Sequence, residues 1–529
     1  MEPFNAQAEP AAPVAKRAYQ SDMVPIRLDK ADAAPLFRQL YLALRGAILS
    51  GQLVAGERLP ATRSMAANMG VARNTVITAY EQLRVEGYLE GRVGSGTVVA
   101  RDLPVDYPTA GEAHPRELRT GAVASLKRDR RLTHQALNAV GFIGRVARRG
   151  DGAFEIDTPA LDALPLETLR RLLTPKLRTD FRRLLTTSDP AGIEPLRRAI
   201  AEWAQASRGI VCSANQVVVT AGGQHGIDLV ARALLAAGDM ACVEDPGDPF
   251  VRSLLLGVGA RVIGIPVNEE GVEVERLPSP DAGARLVHLT PSNHYPLGGT
   301  LPMARRIALL NWAQLSRAII LEDDCDSEFR YSSRPLAALK ALDAADNVIY
   351  VGTFSRIILP SLRLGYLILP EDLVAPVVSI RSLTDRHPPP IEQLLVAEFM
   401  LNGHFSTHVR RMRKLYADRQ QTLVAALRRE FSDVLEIQPA GAGMHIIGWL
   451  PDGWDDAELA RLAAARGLVP RPLSPFYYQR KPRPGVMLGH AGITSGQLRT
   501  GLRLLAKTIA AAGRSAAMVA RANGSGPAP

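Results

Sequence analysis

The chain has 529 residues, 47% of them hydrophobic and 22% charged, with a formal net charge of +10 and an isoelectric point near 9.7. That length predicts more than one domain, and no apolar run approaches the ~20 residues that cross a bilayer. Three cysteines, Cys212, Cys242 and Cys325, stand without metal-ligand spacing, which argues against a zinc or disulfide framework and fits a reducing compartment. Residues 1–30, opening MEPFNAQAEPAAPVAKRAYQ, lack the apolar segment and cleavage pattern of a signal peptide. They are expected to form a disordered tail, and the cytoplasm is the expected location.

Residues 31–102 form the first predicted domain. Leu36, Leu40, Leu44 and Ile48 recur at helical spacing between Pro35 and Gly51, the start and stop residues of a helix. A short helix is predicted from Thr62 to Met69, then a turn at Gly70-Val71-Ala72, then a helix with Val76, Ala79, Tyr80 and Leu83 on one side. Helix, tight glycine turn and helix make a helix-turn-helix. YLEGRVGSGTVVA closes the block as two short strands with Gly94, Ser95 and Gly96 at the tip, a β-ribbon wing. In DNA readers of this plan the start of the second helix meets base edges, and basic side chains meet phosphates. Arg73, Asn74 and Thr75 fall at that start, with Arg63 on the preceding helix and Arg92 on the wing. A single such residue would fit a small helical domain whose polar face meets water; the whole set in order favours DNA.

PLFRQLYLALRGAILSGQLVAGERLPATRSMAANMGVARNTVITAYEQLRVEGYLEGRVGSGT resembles the winged helix-turn-helix of GntR-type transcription regulators. The resemblance implies double-stranded operator DNA as partner, contacted by Arg63, Arg73, Asn74, Thr75 and the wing tip Ser95, Gly96 and Thr97. Residues 103–150 read as a linker, in which nine arginines and lysines from Arg116 to Arg149 face only Glu117 and Asp129. This is a solvated basic tether or a further contact to DNA phosphates.

From residue 151 to 510 the pattern alternates between helices and β-rich runs: QVVVT, ACVEDP, RVIGIPV, RLVHLTPS, RAIILEDD and NVIYVGT. Such alternation predicts an α/β fold with a mostly parallel sheet covered on both faces, whose ligands collect at the carboxyl ends of the strands. AGGQHG, with Gly223 and a helix start near Gln224, offers an anion site. Ser355 and Arg363 can add a hydroxyl and a guanidinium to the same anion. Asp323 ends a buried strand, where it serves as partner to a protonated ring nitrogen, as a helix cap or in an ion pair.

Through DPAGIEPLRRAIAEW, TAGGQHG, VEDPGDP, TPSNHYPLG, LEDDCDSEFRY, GTFSRIILPSLRLGYL, GHFSTHVRRMRKLYADR and GAGMH, this part resembles the aminotransferase-like domain of MocR/GabR-type regulators. The resemblance implies a fold-type I, pyridoxal-phosphate-dependent transferase fold with a small C-terminal α+β subdomain, homodimerisation and a small-molecule effector (an amino acid, pyridoxal phosphate or an acidic metabolite). Several positions depart from the family pattern. Arg356 stands where the Schiff-base lysine is expected, Asp248 replaces the ring-stacking aromatic, Cys325 a tyrosine, Asn293 a histidine, and Gly492 the carboxylate-binding arginine. A guanidinium stays protonated and is a poor nucleophile, so Arg356 cannot form the covalent cofactor link. Two readings remain: non-covalent pyridoxal phosphate, with Gly223, Gln224, Asp323, Ser355, Arg356 and Arg363 lining its site, or a pocket recast for another ligand, such as an acidic one paired by Arg356. A structural salt bridge from Arg356 to Asp248 or Asp323, with an empty pocket, is the plain alternative. The expected function is a DNA-binding regulator without transaminase activity, against a transaminase or lyase carrying a DNA-binding head. Residues 511–529 are expected to be a disordered tail.

Overall fold

The computed structural model describes residues 26, 28–29, 32–92, 96–101, 103, 136, 152–179, 188–324, 326–331 and 336–524. Ser95, Cys325 and every basic residue named in the linker lie outside them, and of Arg92 only the backbone is described. The chain divides into two compact units, Met1–Asp129 and Arg130–Pro529.

In the first unit α1 (Leu36–Leu49), α2 (Thr62–Met69) and α3 (Arg73–Val85) pack around Leu40, Leu44, Ile48, Met65, Val76, Ala79 and Leu83. These are the positions that recur every three or four residues, so one face of each helix leaves water. α2 stops at Gly70, whose φ of 61° lies in the left-handed region that glycine enters without a Cβ clash. β1 (Leu89–Arg92) and β2 (Gly96–Val99) pair antiparallel with Arg92 opposite Gly96, forming the wing. Ile26 and Leu28 pack against this core.

The second unit is built on an eight-stranded sheet. Its strands are β3 (Val217–Thr220), β4 (Met240–Asp245), β5 (Arg261–Asn268), β6 (Gly271–Val272), β7 (Ala284–Leu289), β8 (Ile319–Asp323), β9 (Val348–Thr353) and β10 (Gly365–Ile368). Their order is β3-β10-β9-β8-β7-β4-β5-β6. β5, β4, β7, β8 and β9 run parallel, β10 runs antiparallel to both neighbours, and β6 is an antiparallel edge. The strands are apolar on both faces because helices cover both sides. Apolar clusters led by Val217, Tyr350 and Ile368 on one side and by Val218, Leu321 and Val351 on the other fill the layers.

A smaller antiparallel sheet of β11 (Glu436–Gln438), β12 (His445–Trp449), β13 (Arg471–Pro472) and β14 (Gly485–Gly489) has the order β11-β12-β14-β13. The helices Asp456–Ala464 and Ser495–Gly524 belong to this subdomain. The latter continues past residue 510 into the stretch expected to be a disordered tail. Among the described residues no helix is long and apolar enough to cross a membrane.

Candidate ligand pocket and DNA-reading surface

Arg73 and Asn74 are exposed and Thr75 is half-buried, in the first turn of α3. No side chain caps this helix, which leaves first-turn amides to meet an anion. Arg73 Nε lies 3.4 Å from Thr62 Oγ1, a contact that ties the guanidinium stem to α2. Arg63 is exposed one residue further along α2. On the wing, a Cβ on Gly96 would come within 3.2 Å of the Arg58 guanidinium, and Gly96 has φ +81°. The positive φ favours glycine there, and the contact places Arg58, not singled out from the sequence, against the wing.

The residues expected from sequence to hold a ligand gather where β3, β8 and β9 end. Gly222, with φ +89°, caps the Gly223–Leu234 helix, one residue earlier than the start expected at Gln224, which is exposed. The loop is pinned from both sides: Thr220 Oγ1 donates to the Gly222 carbonyl at 3.0 Å, and the Ala221 amide donates to His225 Nδ1 at 3.0 Å. A Cβ on Gly365 would approach the Gly223 nitrogen to 2.9 Å, so β10 packs directly on this turn. The Arg363 guanidinium lies over Gly222, 3.5 Å from where a Cβ would stand. Ser355 is buried and its Oγ has no hydrogen-bond partner among the described residues. An unpartnered hydroxyl, a guanidinium and helix amides at one turn fit a phosphate ester.

At the other end, strand periodicity sorts three consecutive carboxylates. Successive side chains alternate faces, so Glu322 and Asp324 point one way and Asp323 the other. Glu322 accepts from the Leu339 and Lys340 amides at 2.8 and 2.9 Å and so caps the helix Leu339–Leu342. Asp324 pairs with Arg208 Nε at 2.7 Å and accepts from Tyr350 OH at 2.6 Å. Asp323 lies 3.4 Å from His288 Nε2 on neighbouring β7. Burial alone would push the His288 pKa down, but the Asp323 hydrogen bond and charge raise it above the usual value. The helix cap expected as one role of Asp323 belongs to its neighbour Glu322.

Arg356 is held in ion pairs. Nη1 donates to Asp326 Oδ2 at 2.9 Å, Nη2 lies 3.3 Å from Asp157 Oδ1, and the guanidinium carbon sits 5.2 Å from the Tyr295 ring centre. A structural salt bridge is thus formed, and its carboxylates among the described residues are Asp326 and Asp157 rather than Asp248 or Asp323, the examples anticipated from sequence. Asp248 instead caps the Pro249–Gly257 helix by accepting from the Phe250 amide at 2.7 Å. Gly492 backs onto Thr158, where a Cβ would come to 2.9 Å from the carbonyl oxygen, so no arginine could project from that position without displacing the backbone.

Burial pushes the Asp326 pKa up, against the pull of Arg356, to about 6. Its folded-state value lies above the unfolded one, so ionised Asp326 costs stability above that pH and the cost fades as pH falls. Compared by urea unfolding between pH 7 and pH 4, the natural chain is expected to gain stability relative to Asp326→Asn as the pH drops. A parallel pair of curves would remove Asp326 as the titrating group.

Asp157, Asp326, His288, Tyr295 and Arg208 were not singled out from the sequence. Asp326 lies inside the quoted EDDCDSEFRY motif and His288 inside RLVHLTPS, so strand-end position was a usable signal for both. Asp157 reaches Arg356 only through the fold.

Residues 36–99 match the family described as "Bacterial regulatory proteins, gntR family", and residues 159–503 match "Aminotransferase class I and II". The chain is 39% identical over 493 residues, 93% of its length and 97% of the relative's, to the "Probable rhizopine catabolism regulatory protein MocR" of Rhizobium meliloti. It is 31% identical to the "HTH-type pyridoxine biosynthesis transcriptional regulator PdxR" of Corynebacterium glutamicum, over 90% of this chain and 96% of that one. Among solved structures, a kynurenine aminotransferase of Pyrococcus horikoshii superposes with TM-score 0.65 at 26% identity, covering 72% of this chain and 96% of that one. Head and body together define the class, a GntR-family transcription regulator with an aminotransferase-fold domain. The chain belongs to the MocR-type regulators within that family.

Proposed function

We propose that this DNA-binding regulator uses its aminotransferase-fold domain to sense a small phosphorylated pyridine and to pair two chains, without catalysing transamination. The observation that carries the reading is Arg356, a permanently charged side chain held by two carboxylates at the position of the expected lysine. Its engagement with Asp326 and Asp157 also weakens the idea of an acidic ligand paired by Arg356.

Gly223, Gln224, Ser355 and Arg363 would hold the phosphate and Asp323 the ring nitrogen, with no covalent link. When bound, the pyridine supplies an electron-withdrawing ring; the protein's part here is to bind and orient it. Pyridoxal phosphate is the cofactor class of the fold's enzymes, and the PdxR relative is named for pyridoxine biosynthesis. A ligand changes operator binding only through unequal affinity for two arrangements of the chain. Two paired chains would set the spacing of two heads on a repeated or palindromic operator. The domain limits given above and a cytoplasmic location belong to the same reading.

In the test, purified full-length chain is loaded with pyridoxal 5′-phosphate and followed by thermal unfolding, then reduced with borohydride and weighed. Stabilisation that dialysis reverses, with no mass added at a pocket residue, is the expected result. Turnover of amino and keto acids by pure protein would overturn the proposal. Gly222→Ala is expected to weaken phosphate-ester binding about 10-fold, because Gly222 has φ 89° and ψ 166°, a region essentially reserved for glycine where another residue costs roughly 1–3 kcal/mol. Titration calorimetry reads this directly.

A further inference from the structure

Arg356 lies among several carboxylates. Asp157 and Asp326 touch it, and Asp248 is in electrostatic contact with Asp323, His288 and Arg356. Arg471 on β13 feels Asp157 and Glu155 as well as Arg356. The carboxylates Glu155, Asp157, Asp248, Asp323 and Asp326 thus face Arg356, Arg471 and His288.

Three of the buried polar atoms near this cluster that have no hydrogen-bond partner among the described residues are acceptors. Asp326 has a side chain only 1% exposed; one oxygen binds Arg356 while Oδ1 has no hydrogen-bond partner among the described residues. His445 stands edge-on to Tyr295 with ring centres 5.7 Å apart. Its Nε2 is 2.9 Å from the Pro296 carbonyl, so that nitrogen carries the proton. Burial holds the ring neutral. Nδ1 is then a bare lone pair, and it too has no partner among the described residues. The buried Asn293 Oδ1 is in the same state. A buried acceptor without a donor is costly, and what these atoms lack is a cationic donor.

We propose that the pocket selects the aminated form of the phosphopyridine, with a protonated aminomethyl group received by Asp326 and Asp157, over the aldehyde or alcohol form. The proposal rests on the reading that the Gly222–Ser355–Arg363 turn holds such a phosphate. An ammonium brings three donors and a positive charge, whereas an aldehyde brings only another acceptor. Position 356 is where the family lysine would bring its own amine, so the carboxylates that now hold Arg356 stand beside the place where a ligand amine belongs. Binding makes and breaks no covalent bond.

Titration calorimetry of full-length chain at pH 7.5 would compare pyridoxamine, pyridoxal and pyridoxine 5′-phosphates. The expected result is at least ~10-fold tighter binding of pyridoxamine phosphate. The preference should fall to within about 2-fold in Asp326→Asn, and in Asp157→Asn should the first variant not fold. Equal affinity for all three in the natural chain would overturn the selectivity while leaving the phosphopyridine reading standing. Failure of all three to bind would overturn that reading and the selectivity with it.

Discussion

An Arg73→Ala chain is expected to bind its operator roughly 10- to 100-fold more weakly, as measured by gel shift against the chain's own upstream region at fixed salt. A guanidinium that bridges two acceptors on a base contributes about 1–3 kcal/mol of discrimination, and Arg73 is the first residue of the helix that this architecture presents to the major groove. Its exposure leaves it available, and the Thr62 contact at 3.4 Å limits where it swings. Thr62→Ala should therefore have a smaller effect of the same sign. Base reading and phosphate contact separate by salt: loss of a phosphate contact lowers affinity alike on all sequences and flattens the salt dependence, whereas loss of a base contact relaxes specificity at one position. Unchanged affinity would place the DNA-reading surface elsewhere on the head.

Arg208→Met is expected to destabilise the second unit by roughly 3–5 kcal/mol, the range for a buried ion pair broken from one side. Arg208 is 4% exposed. Beyond its 2.7 Å pair with Asp324 it donates to Ser292 Oγ at 2.7 Å and the Leu336 carbonyl at 3.0 Å. Without it, Asp324 would face Glu322 and Glu328 without the guanidinium that holds it. Burial first, and then Asp324, already raise both glutamates, Glu328 to about 8. The double variant Arg208→Met/Asp324→Asn should recover at least half of the loss, because a neutral amide can lie beside Tyr350 without an unpaired charge. Urea unfolding of the two proteins decides it, and equal stability of single and double variants would contradict the argument.

The head was legible nearly residue by residue. Its helices bury a face repeated every three or four residues, its turn needs Gly70, and its wing is a short hairpin, all local features. The strand cores were legible for the same reason, as was Asp323 at a strand end. What surrounds Arg356 was not. Asp157 meets it only through the fold, so no local pattern names it, and Tyr295, although inside the quoted TPSNHYPLG motif, carries no local sign of lying over a guanidinium. The position of Asp326 inside a quoted motif was visible; that one of its oxygens would hold a guanidinium while the other lacks a partner required three dimensions.

The alternation of Glu322, Asp323 and Asp324 across β8 bears on how such a chain ages. Two of the three acids serve folding, one by closing a short helix and one by neutralising a buried arginine, and neither task involves turnover. A lineage that abandoned catalysis would still be punished for altering them, and with them the backbone that carries the third. The acidic signature would thus outlive the reaction it once announced, as masonry outlasts a workshop, and its presence in a protein says more about architecture than about trade.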